Sequence, residues 1–181
     1  KLHTFDVDKL RELTRPAEVP AVSVKVDGVR TDFSPRAITA IVGPNGSGKT
    51  TLMGRIAGRL SGGEISPEGA DVVLLTQRPG LPPHSTAVEA VAMVTRDKVR
   101  AQELLAAAGL HELADVPVPA LSGGQAAHVA LVRALAARPA VLIVDEPLAA
   151  VDVKSAERWR RFLHAACADR TTLLVTHDAL D

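Results

Sequence analysis

The chain has 181 residues, 46% of them hydrophobic and 23% charged, with 21 Lys and Arg against 21 Asp and Glu. That is enough apolar mass for one globular core, and a formal net charge of zero leaves no basic field of the kind that attracts nucleic acid. No apolar run approaches the roughly 18–20 residues that cross a bilayer, no charged-then-apolar start reads as a secretory signal, and the one cysteine, Cys167, forms no internal disulfide and fits a reducing compartment.

Residues 1–20 hold a short predicted helix and then a Pro-containing linker. "AVSVKV" (21–26) alternates as a strand does, and "AITAIV" (37–42) is a continuous apolar run, which predicts a strand buried on both faces. A helical pattern, "KTTLMGRIAGRL", follows it. "DVVLLT" (71–76), "AVLIVD" (140–145) and "TTLLVT" (171–176) again read as buried strands. Three more helices are predicted among them. "TAVEAVAMV" opens on Thr86 and Glu89 at capping-box spacing, and "DKVRAQELLAAAG" runs from an Asp97 cap to a stop at Gly109. "VKSAERWRRFLHAACA" sets Trp159, Phe162, Leu163 and Ala166 on one stripe. Apolar strands alternating with helices predict an α/β layer on a largely parallel sheet, with the strandless stretch at about 79–136 as a helical insertion.

Three segments carry chemistry. "GPNGSGKT" comprises Gly43, Pro44, Asn45, Gly46, Ser47, Gly48, Lys49 and Thr50, runs on into Thr51, and matches a phosphate loop between a strand and a helix. Its glycines let successive backbone N–H groups turn inward on a phosphate, and the helix N-terminus adds partial positive charge. Lys49 reaches the outer phosphates, and Thr50 supplies a hydroxyl ligand for Mg²⁺. "VLIVDE" is a strand ending in two acids, where ligands of parallel sheets bind. Asp145 suits a Mg²⁺ shell, and Glu146 suits the base that orients an attacking water. "LSGGQ" holds Ser122 and Gln125 at capping-box spacing, with Gly123 and Gly124 between them. A cap needs the serine and the glutamine but not the glycines. The glycines bare the first N–H groups of the next helix to an anion, either another ligand or a nucleotide held by a second copy.

"LSGGQ" with "GPNGSGKT" and "VLIVDEP" resembles the ATP-binding domain of ABC transporters, over roughly residues 21–181. The resemblance implies an α/β P-loop NTPase with a largely parallel, RecA-like sheet core and a helical subdomain insertion, preceded by the N-terminal segment 1–20. ATP and Mg²⁺ are the implied ligands. By resemblance Gln77 is the Q-loop glutamine, which senses Mg²⁺ and the attacking water, Asp152 in "LAAVD" belongs to the D-loop, and His177 in "VTHD" is the switch histidine. Leu121, Ser122, Gly123, Gly124 and Gln125 form the signature, which acts in trans on ATP held by a second ATP-binding domain. The other implied partner is a transmembrane permease, with the chain peripheral on the cytoplasmic face of the cell membrane; no nucleic acid is expected. "LPPHSTAVEAV" and "DEPLAAVD" are importer-like and suggest an oxyanion cargo such as molybdate or sulfate. "DKLRELTRPAEVP" is similar to the linker of single-chain exporters, and a soluble ATPase acting on ribosomes or DNA is the third alternative.

The pattern is departed from in three places. The family's aromatic that stacks adenine, about twenty residues before the phosphate loop, has no counterpart in "TRPAEVPAV", and Phe33 is too close to the loop and expected in the core. The spacing from Lys49 to Gln77 is short, so the small antiparallel sheet is expected to be trimmed. The family also continues with a further strand and helix beyond the switch histidine. Cys167 and Trp159 are expected in the core, and Arg133 is expected to pair locally.

Overall fold

The computed structural model describes residues 5–19, 21–26, 29–42, 63–66, 71–76, 78, 80–146, 148 and 151–176. Gly43–Thr51 with the helix predicted after it, Gln77 and His177 lie outside the described residues. The chain divides into two units. A helical unit draws on residues 1–15, 76–138 and 147–166, and a sheet unit draws on 16–75, 139–146 and 167–181.

In the sheet unit, β3 (Ile38–Val42), β5 (Val72–Leu75), β6 (Val141–Asp145) and β7 (Thr171–Thr176) form a parallel sheet in the order β3-β7-β6-β5. All five residues of β6 are buried, as are the first five of β7, which is what their largely apolar, β-branched sequences predict for the two inner strands. The expectation of burial on both faces fails for the strand at 37–42. Ile38 and Thr39 are half-buried and Ala40 is exposed, because among the described residues β3 is an edge strand flanked only by β7.

A second, antiparallel sheet of order β2-β1-β4 joins β1 (Val22–Val26), β2 (Val29–Phe33) and β4 (Gly63–Ser66). Its inward residues Val22, Val24 and Phe33 meet Val141, Ile143, Leu173 and Val175 of the parallel sheet in one cluster. Phe33 is therefore core, as expected. Beyond the helices, Arg170 is fully buried and donates to the Pro139 carbonyl at 3.0 Å. Cys167 is buried nearby, and that burial pushes its thiol up to about 11.

The helical unit begins with α1 (Val7–Thr14), whose Asp6 cap accepts from Lys9 N at 3.1 Å. Leu10, Leu13 and Thr14 are its buried face. Its last carbonyls, which no helix can satisfy internally, accept from two arginines: Arg100 reaches Leu13 O at 2.9 Å and Arg138 reaches Arg15 O at 2.7 Å. α2 (Ala87–Thr95) opens on the predicted capping box, with Thr86 N donating to Glu89 Oε1 at 3.1 Å and Glu89 N to Thr86 Oγ1 at 3.3 Å. α3 (Lys98–Ala107) starts at the predicted Asp97 cap, and the chain then turns at Gly109, whose φ of 75° suits glycine. α4 (Gly123–Ala136) and α5 (Val153–Ala166) complete the unit. The predicted stripe of α5 is buried along its length, with Trp159 Nε1 donating to Ala127 O at 3.3 Å.

Candidate functional site

The carboxyl ends of the parallel strands fall at the predicted site residues. β3 ends at Val42, directly before Gly43, and β7 ends at Thr176, directly before His177; these two terminal residues are register partners. β6 ends at Asp145, opposite Val175 of β7, and Glu146 N extends the ladder by donating to Val175 O at 3.0 Å. β5 ends at Leu75, two residues before Gln77. Asp145 is 6% exposed and Glu146 is half-buried. The first of these acids is thus fixed by the sheet, and the second leaves it at the rim where a parallel sheet binds its ligands.

In the helical unit, "LSGGQ" forms the first turn of α4. Ser122 Oγ accepts from Gln125 N at 3.2 Å, and Gln125 Oε1 accepts from Ser122 N at 3.0 Å. The capping box therefore exists as its spacing requires. The two glycines differ from each other. A Cβ on Gly123 would meet nothing nearer than Val151 Cγ2 at 4.0 Å, whereas one on Gly124 would lie 2.8 Å from Ser155 Cβ and 3.1 Å from Ser155 Oγ. The expectation that both glycines serve an approaching anion thus gains a second cause at Gly124, a side chain of its own chain.

Asp152 precedes α5 and caps it. Its Oδ1 accepts from Ser155 N at 3.0 Å and its Oδ2 from Ser155 Oγ at 2.8 Å. These bonds, the backbone one foremost, hold the exposed Asp152 carboxyl below its usual range. The segment running from Asp152 to Ser155 is consequently ordered by hydrogen bonds and rests on the first turn of α4.

Behind that turn lies a cavity of about 190 Å³, whose lining includes Gly124, Gln125, His128, Ser155, Arg158 and Glu112. His128 is 5% exposed and packs edge-on to Phe162, with centroids 4.5 Å apart. Burial, with a smaller contribution from the Arg158 charge, lowers its pKa to about 4. Arg133 donates to the carbonyl of Gly80 at 3.2 Å, a remote partner and not the local pairing expected of it. Neither Ser155 nor His128 was singled out for a functional role by sequence, because each lies just past a motif without belonging to it and gains its neighbours only on folding.

The ABC transporter family model matches residues 26–149. The chain belongs to the ABC transporter family. Among its relatives is the sulfate/thiosulfate import ATP-binding protein CysA of Ralstonia nicotianae, 39% identical over 86% of this chain and 49% of that protein. Another is the aliphatic sulfonates import ATP-binding protein SsuB 2 of Pseudomonas syringae pv. syringae, 37% identical over 84% of this chain and 58% of that protein. The ABC chain spans about half the length of these relatives. Among solved structures, the ATP-binding cassette MJ0796, a dimer in a post-hydrolysis state bound to ADP and Pi, matches with a TM-score of 0.73 and 25% identity over 87% of this chain and 88% of that one. The fold is that of an ABC ATP-binding domain. No helix among the described residues is long and apolar enough to cross a membrane.

Proposed function

We propose that this chain binds and hydrolyses ATP to energise the import of a sulfur-containing anion, working as a pair of ATP-binding domains on a membrane permease at the cytoplasmic face. The observation that supports the hydrolytic half is the alignment of strand ends: Val42 of β3 pairs with Thr176 of β7 and Asp145 of β6 pairs with Val175, and the sequence continues from these ends into Gly43, His177 and Glu146. Asp145, with Thr50 and Gln77, provides the hard oxygen ligands that suit Mg²⁺. When bound, that ion neutralises the phosphate charge that builds up during transfer. Lys49 and the N–H groups of the phosphate loop hold the phosphates. Glu146, anchored through its backbone to β7, accepts a proton from the attacking water and orients it, and His177 contacts the terminal phosphate. The signature of one chain, with Asp152 behind it, closes over the nucleotide of the other.

The relatives support the cargo class. Those named above import sulfate, thiosulfate or aliphatic sulfonates, and molybdate, the oxyanion first suggested by the sequence, finds no support among them. Deleting the gene and following uptake of radiolabelled sulfate, an alkyl sulfonate and molybdate tests this. Loss of sulfate or sulfonate uptake with molybdate uptake intact is expected, and the reverse pattern would contradict the reading.

A further inference from the structure

We propose that Ser155 is a positioning residue for hydrolysis, and that it is the reason position 124 must be glycine. The inference rests on the reading of the signature and Asp152 as parts of the ATP site. A Cβ at position 124 would come within 2.8 Å of Ser155 Cβ, closer than non-bonded carbon atoms approach, and Ser155 Cβ is fixed to the backbone of α5, so it cannot rotate away. The contact therefore sets the separation of α4 and α5 at their first turns. The same side chain donates its hydroxyl to Asp152 Oδ2 at 2.8 Å while its backbone N donates to Oδ1 at 3.0 Å. Ser155 thus touches the signature with its Cβ and the Asp152 carboxylate with its Oγ. Val151, on the other side of Asp152, lies 3.5 Å from the same position at Gly124, so the contact flanks Asp152 on both sides. The signature turn and the Asp152 cap accordingly move as one rigid piece. A nucleotide that pulls on the signature displaces Asp152 with it, and Ser155 is the link.

A double-mutant cycle tests this. Gly124→Ala forces the overlap and is expected to lower the ATPase rate at least about tenfold, as overpacking does, with less effect on ATP binding to the chain's own phosphate loop. Gly124→Ala combined with Ser155→Gly removes the opposing Cβ, and its rate should return to within about threefold of Ser155→Gly alone, the strong coupling that contacting residues show. Ser155→Ala keeps the Cβ and loses only the hydroxyl; it should lower kcat per folded molecule severalfold while the KM for ATP changes less than twofold, and a loss that disappears once the rate is divided by the folded fraction would mean a structural role only. Thermal unfolding of the same variants supplies a readout independent of catalysis. If the wild type has no ATPase activity, the proposed function fails, and the melting temperature must still fall in Gly124→Ala and recover in the double variant for the packing claim to stand. A double variant as impaired as Gly124→Ala in both rate and melting temperature, or a fully active Gly124→Ala, overturns the inference.

Discussion

His128 is held neutral by its burial, and this sets a pH dependence. Its pKa is about 4 in the folded chain against an ordinary 6.5, so the unfolded chain takes up a proton that the native chain refuses. The stability this provides is complete above pH 6.5. It is lost progressively as pH falls towards about 4, with an upper bound on the order of 3 kcal/mol. Denaturant midpoints measured across that window should fall for the wild type and fall less steeply for His128→Leu, which has nothing to protonate; parallel slopes would show that His128 is not the group responsible. At Glu146 the expectation is kinetic. Glu146→Gln should bind ATP with wild-type affinity and turn over about a hundredfold or more slowly, the range that loss of a positioned base produces. Nucleotide binding and steady-state hydrolysis, measured on one preparation, separate the two effects. Cys167, buried and with its thiol pushed up to about 11, should resist alkylation at neutral pH until the chain unfolds.

Among the elements, α1 has the least obvious purpose, yet it is bound into the helical unit at both ends. Asp6 N donates to Ala107 O at 2.7 Å, Phe5 packs edge-on to Phe162, and Arg11 donates to Ala165 O at 3.0 Å. Leu10 is fully buried. Leu10→Ala should therefore cost about 2–5 kcal/mol, the range for deleting a core leucine, and an unfolding free energy within 1 kcal/mol of wild type would show α1 to be dispensable. The helix itself was legible in the sequence, as were the caps at Thr86, Asp97 and Ser122 and the buried stripe of α5, because each is encoded by residues within a turn or two of one another. β2 was not legible. Arg30, Thr31 and Asp32 are exposed and only Phe33 is buried among its described side chains past Val29, so β2 shows no apolar run and exists by pairing with β1. β4, the short "GEIS", is likewise recruited by β1. The contact of Gly124 with Ser155 was equally invisible, since it joins two helices whose packing no local pattern states.

For the whole molecule, the central claim is that one chain's signature completes the nucleotide site of another. A charge introduced at Gly124 is a poor probe of it, because any side chain there meets Ser155 of the same chain. Ser122 is a better one. It is exposed and serves as the N-cap, a position that aspartate fills equally well. Ser122→Asp keeps α4 capped and sets a carboxylate against an incoming phosphate. Lys49→Ala has the complementary defect, a sound signature and a damaged phosphate loop. The most direct test is the ATPase rate of an equal mixture of these two variants, each nearly inactive by itself, with mixed dimers verified by differential tagging. Half of the dimers are then mixed, and each has one site built from the two undamaged parts, so the rate should recover to as much as about a quarter of wild type. Mixed dimers that form and hydrolyse ATP no faster than the two variants apart would mean that the signature serves its own chain, and would contradict the account.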